Sequence, residues 1–380
     1  MRVLVFGTDS NLLLPEDPAN EGQHRQRRYC EQLDQARHFV VLTPGTAGQT
    51  RTLAGNRLQA MGVGGGLLAM VRGWRLGLRV AREFRPQLVE YQDPKLVGLT
   101  AYGVARALRV PLAGGVFNDL LDNAAWLSWS PRRHLLNRLG KAVLRRTPAV
   151  RCDSEPTTSR LRRRGFTNVE FIPFFIPWIE HYAAPALTVE SRLAQHDRDP
   201  VVLCVARQTP EKNIPLLLQA FARAREAAGR GRLVICGTGP AQAQAQAVAG
   251  ALRLSDWVSW AGAVPYLELP VQYRSASIFA LSSDSETSAR VLILAQAARL
   301  PTVTTATSGS ADIVRDGRSG FVTPVGDAEA LGHALARLLA DRALYARMLS
   351  DDSYYDHAQH AEVSVMPRLR SFYARAARAA

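Results

Sequence analysis

Two cations stand five residues apart in the stretch Ala206-Arg207-Gln208-Thr209-Pro210-Glu211-Lys212-Asn213, directly after the apolar run VVLCV. On a strand-to-helix turn, a guanidinium and an ammonium can be aimed at one anion, with the amides of the following helix behind them. A second polar turn, Gly237-Thr238-Gly239-Pro240, follows the apolar run RLVIC. Glycine at such a point lets backbone come close to a ligand. Each turn alone reads equally well as ordinary loop chemistry. In successive strand-to-helix turns the pair favours a nucleotide diphosphate. One carboxylate, Glu286, sits among small polar residues ahead of the helical run ARVLILAQAARL. It could orient a sugar hydroxyl, or simply face the positive end of that helix.

These residues need strands and helices to hold them, and the chain supplies both in alternation. The first half reads as strands RVLVFG, HFVVLTP, QLVEYQDP, VPLAGGVFND, AVRCDS and VEFIPFF, separated by helical stretches. The second half repeats the pattern with VVLCVAR, RLVICGTGP, VSWAG, SIFALSS, PTVTT and GFVTP. Such alternation predicts an α/β fold with parallel sheets, in which ligands lie outside the carboxyl ends of the strands. The mixed, Pro-containing stretch 177–200 reads as a linker, and 361–380 as an Arg/Ala-rich helix. Two domains are expected, 1–178 and 179–360, the second including the linker.

The ordered set ARQTPEKNIPLLLQAF, VICGTGP, the Glu286 stretch and TSGSADIVRDGRSGFVTPVGD resembles the family 4 retaining glycosyltransferases of the GT-B fold, over about residues 200–345. The first half resembles them more loosely, through a Gly-containing loop after the first strand, YQDPKLVGLTAYGVARAL and the FND strand tip. The resemblance implies two Rossmann-like domains facing each other across a cleft. The second would hold a nucleotide-sugar, the first the acceptor, and helix 361–380 would pack back on the first.

Carried over residue by residue, the resemblance makes Arg207 and Lys212 the cations that neutralise the donor diphosphate. Gly237 and Gly239 would border the donor, Thr287 and Ser288 would offer it backbone amides, and Gly22 would permit close approach of the first loop. Glu286 would touch the donor sugar. The family pattern has two glutamates with seven residues between them, and Leu294 stands where the second, the ribose-holding one, would be. It also has a His at the strand tip facing the donor, where this chain has Asn118 followed by Asp119. Asn can hydrogen-bond a hydroxyl but exchanges no proton near neutrality. Asp119 is the nearest alternative base. Asp312 matches an acidic position of the pattern by type. The two departures keep open a non-catalytic GT-B scaffold in a membrane-associated polysaccharide assembly. No cofactor is expected beyond the nucleotide-sugar substrate, and no metal: Asp197-Arg198-Asp199 is a DxD, but it precedes a strand instead of following one.

The chain has 380 residues, 47% hydrophobic and 21% charged, with a net charge of +14. Residues 1–176 carry 26 Lys and Arg against 14 Asp and Glu, whereas the remainder is nearly balanced. Lysine occurs only three times, a bias that genomic composition explains; the asymmetry between halves instead suggests an anionic surface facing the first half. Arg72, Arg75, Arg79 and Arg82 recur at helical spacing. Residues 123–150 contain no acid but hold Arg132, Arg133, Arg138 and Lys141, preceded by Trp126 and Trp129. A basic amphipathic helix with nearby Trp suits an interfacial anchor, although a solvated helix face reads equally well. A lipid-linked or polysaccharide acceptor at an anionic membrane surface fits both this and the resemblance. Nucleic acid does not, since aromatic stacking motifs are lacking. No apolar run approaches a membrane span, MRVLVFGTDS is too short for a signal peptide, and the four scattered cysteines suit free thiols in a reducing cytoplasm. The expected place is therefore the inner face of the cell membrane, as a peripheral protein.

Overall fold

Val3, Leu4, Val5 and Phe6 have no exposed surface at all. That is the mark of a parallel strand covered on both faces, and they form β1 (Arg2–Gly7) at the centre of an eight-stranded sheet. The computed structural model describes residues 1–17, 19–117, 121–122, 127, 130–183, 188–286, 289–307, 309–310 and 312–379. It divides into two compact units, Met1–Pro177 with Glu362–Ala380, and Trp178–Ala361.

In the first unit β1 is followed by α1 (Glu21–Gln32), β2 (Ala36–Val41), β3 (Thr50–Leu53), β4 (Leu58–Gly62) and α2 (Gly66–Phe84). Then come β5 (Leu88–Tyr91), α3 (Leu96–Leu108), β6 (Leu112–Val116), α4 (Pro131–Arg146), β7 (Ala149–Cys152), α5 (Glu155–Arg163) and β8 (Val169–Phe171). The sheet order is β3-β4-β2-β1-β5-β6-β7-β8. All neighbours are parallel except the hairpin β3-β4, which the strand pattern does not announce because TRTL is polar and exposed over three of its four residues. Alternation along β1 splits the core in two. Leu4 and Phe6 pack towards α2 and α3 with Val104 and Ala69. Val3 and Val5 face the other way, where Val365, Met366, Leu369, Phe372 and Tyr373 of the C-terminal helix, Glu362–Arg378, cover the sheet. That helix is pinned by Arg28 to Glu362 at 2.7 Å and by Arg375 to Glu170 at 2.6 Å.

The second unit opens with α6 (Glu180–Ala183) and α7 (Val189–Arg198), within the stretch that composition suggests is a linker. α7 belongs to the packed unit. Its buried Arg192 donates to the carbonyls of Ala276 at 2.6 Å and Ala298 at 2.8 Å, and its buried His196 bonds the carbonyl of Leu338 at 2.8 Å. The sheet follows: β9 (Val201–Val205), α8 (Ile214–Ala228), β10 (Arg232–Cys236), α9 (Gln242–Ala251), β11 (Val258–Gly262), α10 (Leu269–Ser275), β12 (Ile278–Leu281), α11 (Arg290–Ala297), β13 (Thr302–Thr305), β14 (Gly320–Thr323), α12 (Ala328–Ala340) and α13 (Arg342–Leu349). Its order, β11-β10-β9-β12-β13-β14, is all parallel. This is the doubly wound arrangement, with the chain turning to opposite sides at β9 and β12. The four cysteines are all buried free thiols. Among the described residues no helix is long and apolar enough to cross a membrane.

Candidate active site

In a doubly wound sheet the loops leaving the two central strands diverge and leave a crevice at their carboxyl ends. In the second unit those strands are β9 and β12. The loop after β9 carries residues 206–213, and the loop after β12 begins with residues 282–286. Asn213 takes a left-handed conformation, φ 45°, and caps α8 by accepting from the Leu216 amide at 3.3 Å. This fixes where Lys212 leaves the backbone. The two loops are stitched together. The Ser282 hydroxyl donates to the carbonyls of Lys212 at 3.0 Å and Asn213 at 2.9 Å. The Asp284 amide donates to the Glu211 carbonyl at 2.8 Å, and the Asn213 amide group donates to Asp284 Oδ1 at 2.9 Å.

On this frame Lys212 Nζ meets Glu286 Oε1 at 2.5 Å, with the two side chains 15% and 11% exposed. The Ser283 hydroxyl donates to the same oxygen at 2.8 Å. An ammonium and a carboxylate are thus held at the topological switch point. They can receive an anionic group and a hydroxyl-bearing group side by side. Ser282, Ser283 and Asp284 carry no motif of their own; the rule that function follows strand ends is the signal that finds them in SIFALSSDS.

Arg207 is placed differently from Lys212. Its side chain is 77% exposed and stands 3.8 Å from Glu211. The buried-side tendency of Glu211 to protonate is outweighed by the Thr209 hydroxyl, which donates to it at 2.7 Å, so its pKa falls below the usual value. Spacing alone makes Arg207 and Lys212 look equivalent; the structure gives Lys212 a mostly buried carboxylate partner and leaves Arg207 largely exposed.

Gly237 and Gly239 are needed for a reason internal to the unit. Gly237 has φ 123°, and a Cβ there would lie 2.0 Å from the Ala206 carbonyl oxygen. At Gly239 it would lie 2.3 Å from the Gln208 carbonyl oxygen. Their bareness lets the loops after β9 and β10 run backbone against backbone, bonded from Gln208 N to Thr238 O at 2.9 Å and from Gln208 Nε2 to Gly237 O at 2.8 Å. Leu294 is buried on α11, as are Leu292 and Ile293. The position that the resemblance gives to a ribose-holding carboxylate therefore carries a core side chain. Asp197 and Asp199 of the DxD are taken up by Arg342 at 3.0 Å and Arg232 at 2.6 Å. Thr287 and Ser288 lie outside the described residues.

In the first unit Gly22 is in the first turn of α1, where a Cβ would stand 3.1 Å from Asp9 Oδ2. Asn118, Asp119, Trp126 and Trp129 lie outside the described residues. Arg132 and Arg138 are exposed on α4 and Arg133 is half-buried. Lys141 is turned inward to Asp122 at 2.9 Å. The more open basic face is on α2. Leu67, Leu68, Val71 and Trp74 are all exposed there, Leu67 by 73%. Arg72, Arg75, Arg79 and Arg82 are exposed on the same helix, and none of the four has an ion-pair partner among the described residues.

Two families match the chain. Residues 189–351 match the family described as Glycosyl transferases group 1, and residues 22–174 match the Glycosyl transferase 4-like domain. Among curated relatives, the alpha-monoglucosyldiacylglycerol synthase of Streptococcus pneumoniae is 24% identical over 299 residues, covering 76% of this chain and 67% of the relative. A GDP-mannose-dependent alpha-mannosyltransferase of Mycobacterium tuberculosis is 29% identical over 282 residues, covering 71% and 68%. Among solved structures, a sucrose-phosphate synthase from Thermosynechococcus elongatus is similar over the whole of both chains, with a TM-score of 0.79 at 18% identity. That likeness shows the fold, GT-B with two Rossmann-like units.

Proposed function

The chain is a family 4-like glycosyltransferase of the GT-B fold, and from that premise we propose that it moves a hexose-type sugar, with retention, from a nucleotide-sugar to a lipid-linked or polysaccharide acceptor in envelope or exopolysaccharide synthesis. The observation that carries the reading is the Lys212–Glu286 pair at the switch point of the second sheet. With no donor bound, each group neutralises the other. An arriving diphosphate takes over the ammonium, and the released carboxylate accepts hydrogen bonds from sugar hydroxyls.

In the transfer, the bond from the sugar C1 to the phosphate oxygen breaks, and a bond from C1 to the acceptor oxygen forms on the same face. The acceptor proton passes to the departing phosphate oxygen, so the step needs no protein base at the positions of Asn118 and Asp119. Lys212 then stabilises negative charge as it develops on the diphosphate. A fixed charge of this kind is worth about a hundredfold to a thousandfold in rate.

The streptococcal relative, a glucosyldiacylglycerol synthase by name, supports the lipid acceptor, and so does α2. Exposed leucines and Trp74 beside four arginines with no ion-pair partner among the described residues suit a helix lying on an anionic bilayer surface. Four buried thiols suit the reducing, inner side of that membrane. The test is a hydrolysis and transfer screen over UDP-, GDP- and ADP-sugars, with Lys212→Ala as control. One donor turned over by the native chain and not by the variant supports the reading. Failure to bind any nucleotide by isothermal titration would replace it with the non-catalytic scaffold.

A further inference from the structure

The first sheet also has a switch point, between β1 and β5. There the carboxyl ends of its strands open onto a cavity of about 470 Å³. Asp9 reaches it from the loop after β1, Asp93 and Lys95 from the loop after β5, and Arg25 from α1. Phe117 and Phe174 supply aromatic wall. The lining is rich in buried charge, and nearly all of it is paired. Arg25 meets Glu21 at 2.8 Å and Asp9 at 3.6 Å, Lys95 meets Asp93 at 2.5 Å, and Arg37 meets Glu90 at 2.6 Å.

Arg151 is the exception. It projects from β7 into the cavity lining and is 5% exposed. Its Nε donates to the Ile172 carbonyl at 3.2 Å and its Nη2 to the Pro173 carbonyl at 2.9 Å. The guanidinium lies 5.3 Å from the centre of the Phe117 ring. No carboxylate among the described residues is within ion-pair distance of it, and Asp153 acts on it only at longer range. A buried cation held without a paired anion is costly. Here two carbonyls and the Tyr29 hydroxyl hold the guanidinium in place, and its five N–H donors outnumber those three partners.

We infer that this cavity receives the acceptor, and that the acceptor is a polyhydroxylated head group carrying a phosphate or carboxylate. The anion docks on Arg151, hydroxyls meet the paired carboxylates Asp9 and Asp93, and the ring or chain of carbons lies against Phe117 and Phe174. This inference rests on the glycosyl-transfer reading and adds the chemical class of its acceptor. Gly66 both lines the cavity and begins α2. An apolar tail leaving the rim would therefore run out beside Leu67 and Leu68. A lipid head group and a free acidic sugar share the recognised chemistry, and the experiment separates them.

The experiment is isothermal titration of the full chain, with and without its donor nucleotide. The soluble probes are glucose, glucuronate and glucose 6-phosphate. At least one anionic probe is expected to bind about tenfold or more tightly than glucose, with the difference shrinking as salt is added. In Arg151→Gln the preference should vanish. Arg151→Lys, which keeps the charge and loses the planar fork, should retain part of it. Circular dichroism and nucleotide binding report whether each variant is folded. If neither variant folds, the native chain decides alone. Equal affinity for charged and neutral sugars, or affinity for none, overturns the inference, and it does so while nucleotide binding persists, which separates it from failure of the transferase reading. A second arm compares glycerol 1-phosphate with short-chain phosphatidylglycerol. Tighter binding of the lipid identifies a head group as the source of the anion; equal binding identifies a free phosphate; binding of neither, with no sugar preference, counts against the site.

Discussion

Lys212 and Glu286 are 74 positions apart in the chain, and their charged atoms are 2.5 Å apart in the fold. The pair exists because β9 and β12 are neighbours while their loops leave in opposite directions. It makes the resting site electrically closed: an incoming diphosphate has to win the ammonium from the carboxylate. Glu286→Gln removes the competing charge and keeps a hydrogen-bonding side chain. It is expected to bind the free nucleoside diphosphate several-fold more tightly while lowering the rate of sugar transfer about a hundredfold. Titration with the diphosphate and a transfer assay measure the two halves. Weaker diphosphate binding in this variant would mean that the carboxylate does not compete for Lys212.

The buried Leu294 makes a second prediction. A leucine accepts no hydrogen bond from a ribose diol, so the native chain should bind its nucleotide and the 2′-deoxy form with affinities within about threefold of each other, far from the selectivity a site built to hold a hydroxyl shows. Leu294→Glu should cost roughly 3 kcal/mol of folding stability by burying a carboxylate on α11. Urea unfolding reads the cost. A variant as stable as the native chain would show that position 294 has access to solvent or to a cation.

Vesicle pelleting tests α2. Each arginine near an anionic bilayer contributes about 1 kcal/mol. Replacing Arg72, Arg75, Arg79 and Arg82 together by Gln should therefore weaken binding to phosphatidylglycerol vesicles on the order of a thousandfold at low salt. Leu67→Gln with Leu68→Gln should weaken it less, and in a way that added salt does not mimic. Unchanged pelleting in both variants would move the anchor elsewhere, with the exposed Arg132 and Arg138 of α4 next in line.

Stability should fall as the medium is acidified. Burial lowers the pKa of His38 to about 4 against the Phe84 ring, whose centroid is 3.7 Å away, and burial also lowers His24, His196 and His357. A histidine whose folded pKa is depressed binds fewer protons folded than unfolded. Its neutral form favours the fold above the unfolded value of 6.5, and that contribution is lost as pH falls from there towards 4. The melting temperature should drop across this window, and His38→Gln should flatten the slope. A melting temperature that stays level from pH 6.5 to 4.5 would contradict the burial of these rings.

The strands that position the candidate site were legible because VVLCV, LVIC and IFAL are unbroken apolar runs, as strands covered on both faces tend to be. Glu286 and Lys212 were legible because they follow such strands. Arg37 and Arg151 were not, since a cation inside ARHFVV or AVRCDS reads as solvent-facing. Their burial depends on distant partners: Arg37 donates to the Tyr373 hydroxyl at 3.3 Å, across 336 positions of chain. The packing of α7 was hidden for a similar reason. Nothing in VESRLAQHDR announces that Arg192 will satisfy carbonyls around Ala276 and Ala298. The unequal placement of Arg207 and Lys212 was also beyond spacing, because it follows from the left-handed turn at Asn213 and from the β12 loop that meets it.

The C-terminal helix closes a sheet that begins at Arg2, and everything from Trp178 to Ala361 is made in between. During synthesis the whole of the second unit is made before Leu369, Phe372 and Tyr373 of the first. The strands made first are thus sealed last, with Val3, Val5 and Phe39 bare in the interval. A released chain truncated before Glu362 should show a protease-resistant fragment starting near Trp178 and a first half that chaperones hold.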